Sequence, residues 1–191
     1  SELSGTYSAA VMAARESSIP VRVVDTRTVG LGLGFAVIGA AEAAQKGLAV
    51  ADVVDVAAAR AKESRVFLTV DSMEALRRGG RIGTAQAVVG TALAIKPVLE
   101  ILGGKVQQIE KVRTNSRAVT RLVELAQQAA NAATEPVQIG VQHAGVPERA
   151  SSLVKELGKA LPGVPVITTD LGAVLTAHAG PGAIAVVIAP R

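Results

Sequence analysis

Val66-Phe-Leu-Thr-Val70, continued by Asp71-Ser-Met-Glu-Ala75, divides the chain into two patterns. The apolar run of Val66–Val70 predicts a buried strand. Upstream, Val21–Asp25 (VRVVD) is a second short β-branched run, set between Pro20 and a polar turn. Between the two runs, Gly34–Lys46 and Ala51–Lys62 carry helical spacing, and the first of these helices stops at Gly47. Another helix is expected over Gly5–Ser17, entered from Ser4. Strand–helix–helix–strand without a tight hairpin predicts a parallel, doubly wound sheet. Two strands are too few to stabilise such a sheet. Residues 1–74 are therefore expected to be the remnant of an N-terminal α/β lobe whose upstream strands lie outside this sequence.

Beyond Val70 the pattern changes, and a lobe boundary is expected near Asp71–Ala75. Ser72–Arg78 predicts a short helix ending at Gly79-Gly80, and Gly83–Leu93 a helix of small residues. Pro97–Leu102 and Lys105–Val112, joined by Gly103-Gly104, predict a β-hairpin. A long amphipathic helix is expected over Ser116–Ala132, then a strand over Val137–Gln142, a helix over Pro147–Leu161 and a strand over Val164–Thr168. Val174–His178 and Ala183–Ala189 read as two more strands around the turn at His178–Gly182. Hairpins mixed with crossover helices predict an α+β lobe with a mixed sheet over residues 75–191. The expected class is thus α/β with two lobes.

Apolar residues make up 49% of the chain and aromatic ones only 2%, so its core is aliphatic. Cysteine is absent, which removes disulfides and thiolate chemistry and fits a cytoplasmic protein. The uncharged stretch Ile82–Ile95 is shorter than the roughly 20 residues a membrane-spanning helix needs, and no integral membrane segment is expected. Arg77–Arg121 carries a local charge of +7 within a chain whose total is only +4. Such a block suits an anionic ligand or partner; a solvated basic surface is the alternative. The shortage of aromatic stacking platforms argues against nucleic acid.

Several residues are candidates for chemistry. Ser4-Gly5-Thr6 opens a helix, whose free N–H groups and dipole suit a carboxylate or phosphate; simple capping is the alternative. Arg81, in Arg77-Arg-Gly-Gly-Arg81, offers a planar fork for such an anion, and Arg113 a second cation. His178 can donate to a carboxylate, whereas His143 reads as structural. Gly30-Leu-Gly-Leu-Gly34 has the wrong spacing for a dinucleotide loop and reads as a turn that admits a close neighbour. Two separated histidines, with neither cysteine nor a carboxylate cluster, give no metal site, and no cofactor is expected. A hydrolytic set of Ser4, His178 and Asp25 can be written, but no nucleophile-elbow motif supports it.

Taken together, the stretches Ser4–Ala10, Val23–Arg27 with Gly32–Phe35, Val70–Gly83, Ile95–Val98, Lys111–Thr114 and His178–Ala183 resemble the DegV family of lipid-binding proteins. Their order and spacing cover the whole chain. The resemblance implies two α/β lobes and a long-chain fatty acid whose tail is buried and whose carboxylate lies near the lobe interface. It implies carboxylate binding by the Ser4-Gly5-Thr6 element and His178. Arg81 and Arg113 are then placed for the head group or for docking a kinase. It also implies delivery to a separate ATP-dependent fatty acid kinase, the carrier itself catalysing nothing. Family members carry an upstream segment that is not in this sequence, and Ala179 stands where Thr is common. The helix over Gly83–Leu93 is the expected tunnel wall. A stand-alone hydrolase or phosphotransferase using Ser4 and His178 is the competing expectation.

Overall fold

The computed structural model describes residues 2–83 and 95–191. In chain order its elements are α1 (Thr6–Arg15), α2 (Leu31–Gln45), α3 (Val50–Glu63), β1 (Arg65–Thr69), α4 (Glu74–Arg78), β2 (Lys96–Leu102), β3 (Lys105–Val112), α5 (Asn115–Ala132), β4 (Val137–His143), α6 (Pro147–Ala160), β5 (Val166–Asp170), α7 (Ala173–Ala179) and β6 (Ile184–Pro190). The six strands form one sheet in the order β3-β2-β1-β6-β4-β5. Every neighbouring pair is antiparallel except β4 and β5. The class is mixed α/β with a mixed sheet, and its parallel pair is β4–β5.

Two expected strands are corrected. Val21–Asp25 has no regular secondary structure. Its β-branched residues have the propensity, but no described strand pairs with them. The second is Val174–His178, which is helical as part of α7. Glycines at positions 172 and 180 bracket that segment; Thr176 N–H bonds to Gly172 O at 2.9 Å and Thr176 Oγ1 to Leu171 O at 2.8 Å. Strand β1 runs antiparallel to both β2 and β6 in mid-sheet, so Val66–Val70 does not pair in parallel with Val21–Asp25. Beyond Gly83, the helix expected over Gly83–Leu93 lies outside the described residues.

The sheet is covered on both faces, which is why β1 and β6 are buried almost throughout. On one face, Phe67, Ile139, Val141, Ile184, Val186 and Ile188 pack against Leu122 and Leu125 of α5 and Leu153 and Leu157 of α6. Helix α5 starts at its cap, where Thr114 Oγ1 accepts the N–H of Arg117 at 3.1 Å. On the opposite face lie Val66, Leu68, Val70, Ala183, Ala185, Val187 and Ala189, with Phe35, Leu76 and Ala179 over them. The alternation along Ala183–Ala189 sends bulky Ile184, Val186 and Ile188 to the first face. It sends mostly alanine to the second. That second face is recessed. Among the described residues, no helix is long and apolar enough to cross a membrane.

Candidate functional site

A cavity of about 880 Å³, counting its open mouth, sits over the recessed face. Leu68, Ala183 and Ala185 form its floor, while Val29, Val66, Ile101 and Val106 contribute aliphatic surface. Helix α7 supplies Val174, Leu175 and Ala179. Among the described residues, four polar side chains interrupt this lining: Ser4, Arg81, Gln142 and His178.

Three of the four were candidates from sequence. They come from the chain start, the loop after α4 and the last turn of α7, so only the fold brings them together. Arg81 organises the first of these segments. Its Nε donates to Leu3 O at 2.9 Å and its Nη1 to Gly79 O at 2.6 Å. Ser4 Oγ accepts the N–H of Thr6 at 3.1 Å and lies 2.7 Å from Thr6 Oγ1. Gly5 is the N-cap of α1, and neither Gly5 nor Thr6 lines the cavity.

His178 lies directly on Gly79, where any Cβ would collide with its Nδ1. Gly79 thus admits the imidazole to the cavity wall, and α4 ends there. Arg113 follows β3 as an exposed side chain and does not line the cavity. His143 lies on the other side of β4 and is not part of the wall; its Nδ1 is 3.3 Å from Asp170 Oδ1. Among the described residues, no cluster of histidine and carboxylate could hold a metal ion.

The hydrolytic set does not assemble. Ser4 and His178 share the cavity, but among the described residues no hydrogen bond joins them. Asp25 is engaged by Arg27, whose backbone N–H reaches Asp25 Oδ1 at 3.3 Å. A nucleophile needs its base within hydrogen-bond reach and an orienting group behind the base.

Sequence reasoning missed a charged cluster beside the cavity. Lys96 Nζ donates to Asp71 Oδ1 at 2.9 Å, and Arg149 Nη1 reaches the same oxygen at 3.4 Å and Gly182 O at 2.8 Å. Gly182 allows this because a Cβ there would strike the Asp71 carboxylate. Partial burial raises the Asp71 pKa, but the Lys96 hydrogen bond and the Arg149 charge outweigh it and hold the carboxyl below its ordinary range. The cluster ties Val70–Gly83, Ile95–Val98 and His178–Ala183 together. Elsewhere in the basic block, Arg77 pairs with Glu74 at 2.7 Å and Arg121 with Glu124 at 2.8 Å. Much of that positive charge is met locally.

Gln142 was also missed. Along β4, Ile139 and Val141 face the α5–α6 core, whereas Gln138, Gly140 and Gln142 alternate with them. A polar alternate set ordinarily marks a solvated face. Here Gln142 is 7% exposed and lines the cavity.

A family model described as "Uncharacterised protein, DegV family" matches residues 1–191. The chain is 48% identical to a DegV domain-containing protein of Streptomyces coelicolor, over 100% of this chain and 67% of that one. Its fold matches the crystal structure of a DegV family protein from Corynebacterium glutamicum with a TM-score of 0.90 at 38% identity, covering 100% of this chain and 72% of that chain. It matches DegV of Bacillus subtilis, described as a fatty acid binding protein, with a TM-score of 0.88 at 32% identity, covering 100% and 68%.

Proposed function

The chain belongs to the DegV family, and from that premise we propose that it binds a long-chain fatty acid, with the tail in the cavity and the carboxylate at the polar rim. The observation that carries this reading is the meeting of Ser4, Arg81 and His178 on one aliphatic cavity. The B. subtilis relative's fatty acid binding supports it. Burying around 15 methylenes at about 0.8 kcal/mol each yields on the order of 12 kcal/mol before ordering costs. That gross term is ample for tight binding.

In this reading the Ser4 hydroxyl meets the carboxylate at the cavity wall, Gly5 and Thr6 stand just outside the wall as the rest of that carboxylate-binding element, and His178 adds a ring N–H. Arg81 supplies positive charge while fixing Leu3 and Ser4. The protein acts in the cytoplasm as a carrier without catalysis of its own, and an ATP-dependent fatty acid kinase receives the exposed end of the ligand. Arg113 is suited to docking that kinase because it is exposed and stands away from the cavity.

Denaturing extraction followed by mass spectrometry tests the binding step. A long-chain acid is expected in near-stoichiometric amount. Protein that releases none and takes up neither palmitate nor oleate contradicts it. Adding purified kinase and ATP tests the second step: acyl phosphate is expected to form only with both proteins present.

A further inference from the structure

We propose that Gln142 is a ligand-binding residue of the cavity, a fixed hydrogen-bond donor for an acceptor oxygen of the bound acyl molecule. The inference rests on the fatty-acid reading and deepens it. Its starting point is the orientation of one amide. Leu31 N–H, at the start of α2, donates to Gln142 Oε1 at 2.7 Å. A backbone N–H can only donate, so the oxygen of the amide must face α2. Gly30 makes this approach possible: it lies in the left-handed region at φ 58°, and a Cβ there would strike Oε1. Gly30 itself provides no side-chain cap for α2, and Gln142 fills that role.

The other half of the amide is left over. Nε2 carries two hydrogens, donates to no group among the described residues and is open to the cavity rather than sealed inside the protein. Yet Gln142 is 7% exposed and lines the cavity beside Val29, Leu68 and Ala185. Helix capping alone does not call for glutamine, because any acceptor of the same reach would serve Leu31. A hydrocarbon that displaces water from this donor leaves it unpaired and binds less well, whereas a molecule bringing an oxygen to it replaces the lost bond. The oxygen is the carboxylate or a carbonyl along the chain; the chemistry is shared, and experiment separates the two.

Gln142→Glu is the discriminating variant. It keeps an oxygen for Leu31 N–H, and its charge suits a helix N-terminus. It replaces only the donor. Wild type and variant are titrated with palmitate and with a positional series of oxo-octadecanoic acids, with thermal melts alongside. If Nε2 meets the carboxylate, Gln142→Glu weakens palmitate binding by more than about tenfold while melting stays at or above the wild-type temperature. If it meets a chain carbonyl, palmitate binding is unchanged. One oxo isomer then binds wild type about three- to tenfold more tightly than palmitate, and the variant loses that preference. Identical affinities of both proteins for every ligand overturn the proposal and leave Gln142 a helix cap. Should the variant not fold, the wild-type series still decides: an oxo preference supports a chain contact. Its absence, together with undiminished binding of hexadecanol relative to palmitate, overturns both forms. Wild type that binds no acid at all contradicts the fatty-acid reading instead.

Discussion

The two faces of β6 come from one seven-residue strand and have opposite outcomes. Ile184, Val186 and Ile188 point to the α5–α6 side and are at most 3% exposed, locked against Leu122, Leu153 and Leu157. Ala185, with Ala183 just before the strand, points the other way, where the space left by short side chains opens into the cavity. Backbone geometry is shared and burial is similar; at Ala183 and Ala185 small side chains leave the space that Val187, packed on Phe35, fills farther along the same face.

The contrast can be broken from either side. The largest expected effect is on the solid face: Leu153→Ala leaves a void against α5 and should cost about 2–5 kcal/mol of stability. Denaturant unfolding measures it, and ligand affinity at low denaturant should be unchanged. On the recessed face, Ala185→Phe places a ring in the space reserved for the acyl chain. Fatty acid uptake is expected to fall by at least about a hundredfold. The melting temperature should stay near that of delipidated wild type. Reversed sensitivities would show that the faces are not divided by volume.

At the rim the effects are smaller. Ser4→Ala and His178→Ala each remove one donor to a charged group, worth about 1.5–3 kcal/mol, and calorimetric titration should show the loss in affinity with the fold intact. Unchanged titrations would remove these residues from the site. The smallest effect belongs to Asp71. Its folded pKa is depressed by Lys96 and Arg149 against the effect of burial, so its contribution is present above the ordinary carboxylate pKa. That contribution is lost as pH falls through the depressed value. Asp71→Asn should therefore lower stability at neutral pH by no more than about 1 kcal/mol, since the pair is partly exposed. The difference from wild type should vanish in acid. A gap that persists there would assign the effect to packing around Gly182.

Much of this was legible in the sequence where chemistry is local. Gly103-Gly104 announced the hairpin, Pro147 stands at the start of α6, and Thr114 caps α5. Pattern failed where tertiary context decides. Val21–Asp25 has strand propensity, but no described strand pairs with it. Val174–His178 looks like a strand by composition, yet its flanking glycines and the Thr176 backbone bond favour a helical turn. Gly30–Gly34 was read as a turn admitting a close neighbour; residues 31–34 are instead the first turn of α2, and it is Gly30 alone that meets Gln142. The meeting of Ser4, Arg81 and His178 spans most of the chain, and spacing holds no information about it. Only the resemblance to a family suggested it. Gln142 left one readable sign, a polar alternate in a strand whose other face is apolar. The sign does not say whether water or a ligand lies opposite.

A crystal structure of the delipidated protein soaked with oleate tests the central claim most directly. Continuous density is expected along Ala183 and Ala185, with a carboxylate oxygen within about 3.2 Å of Ser4 Oγ. An empty cavity with the acid elsewhere on the surface, or a tail directed away from Ala183 and Ala185, would contradict it.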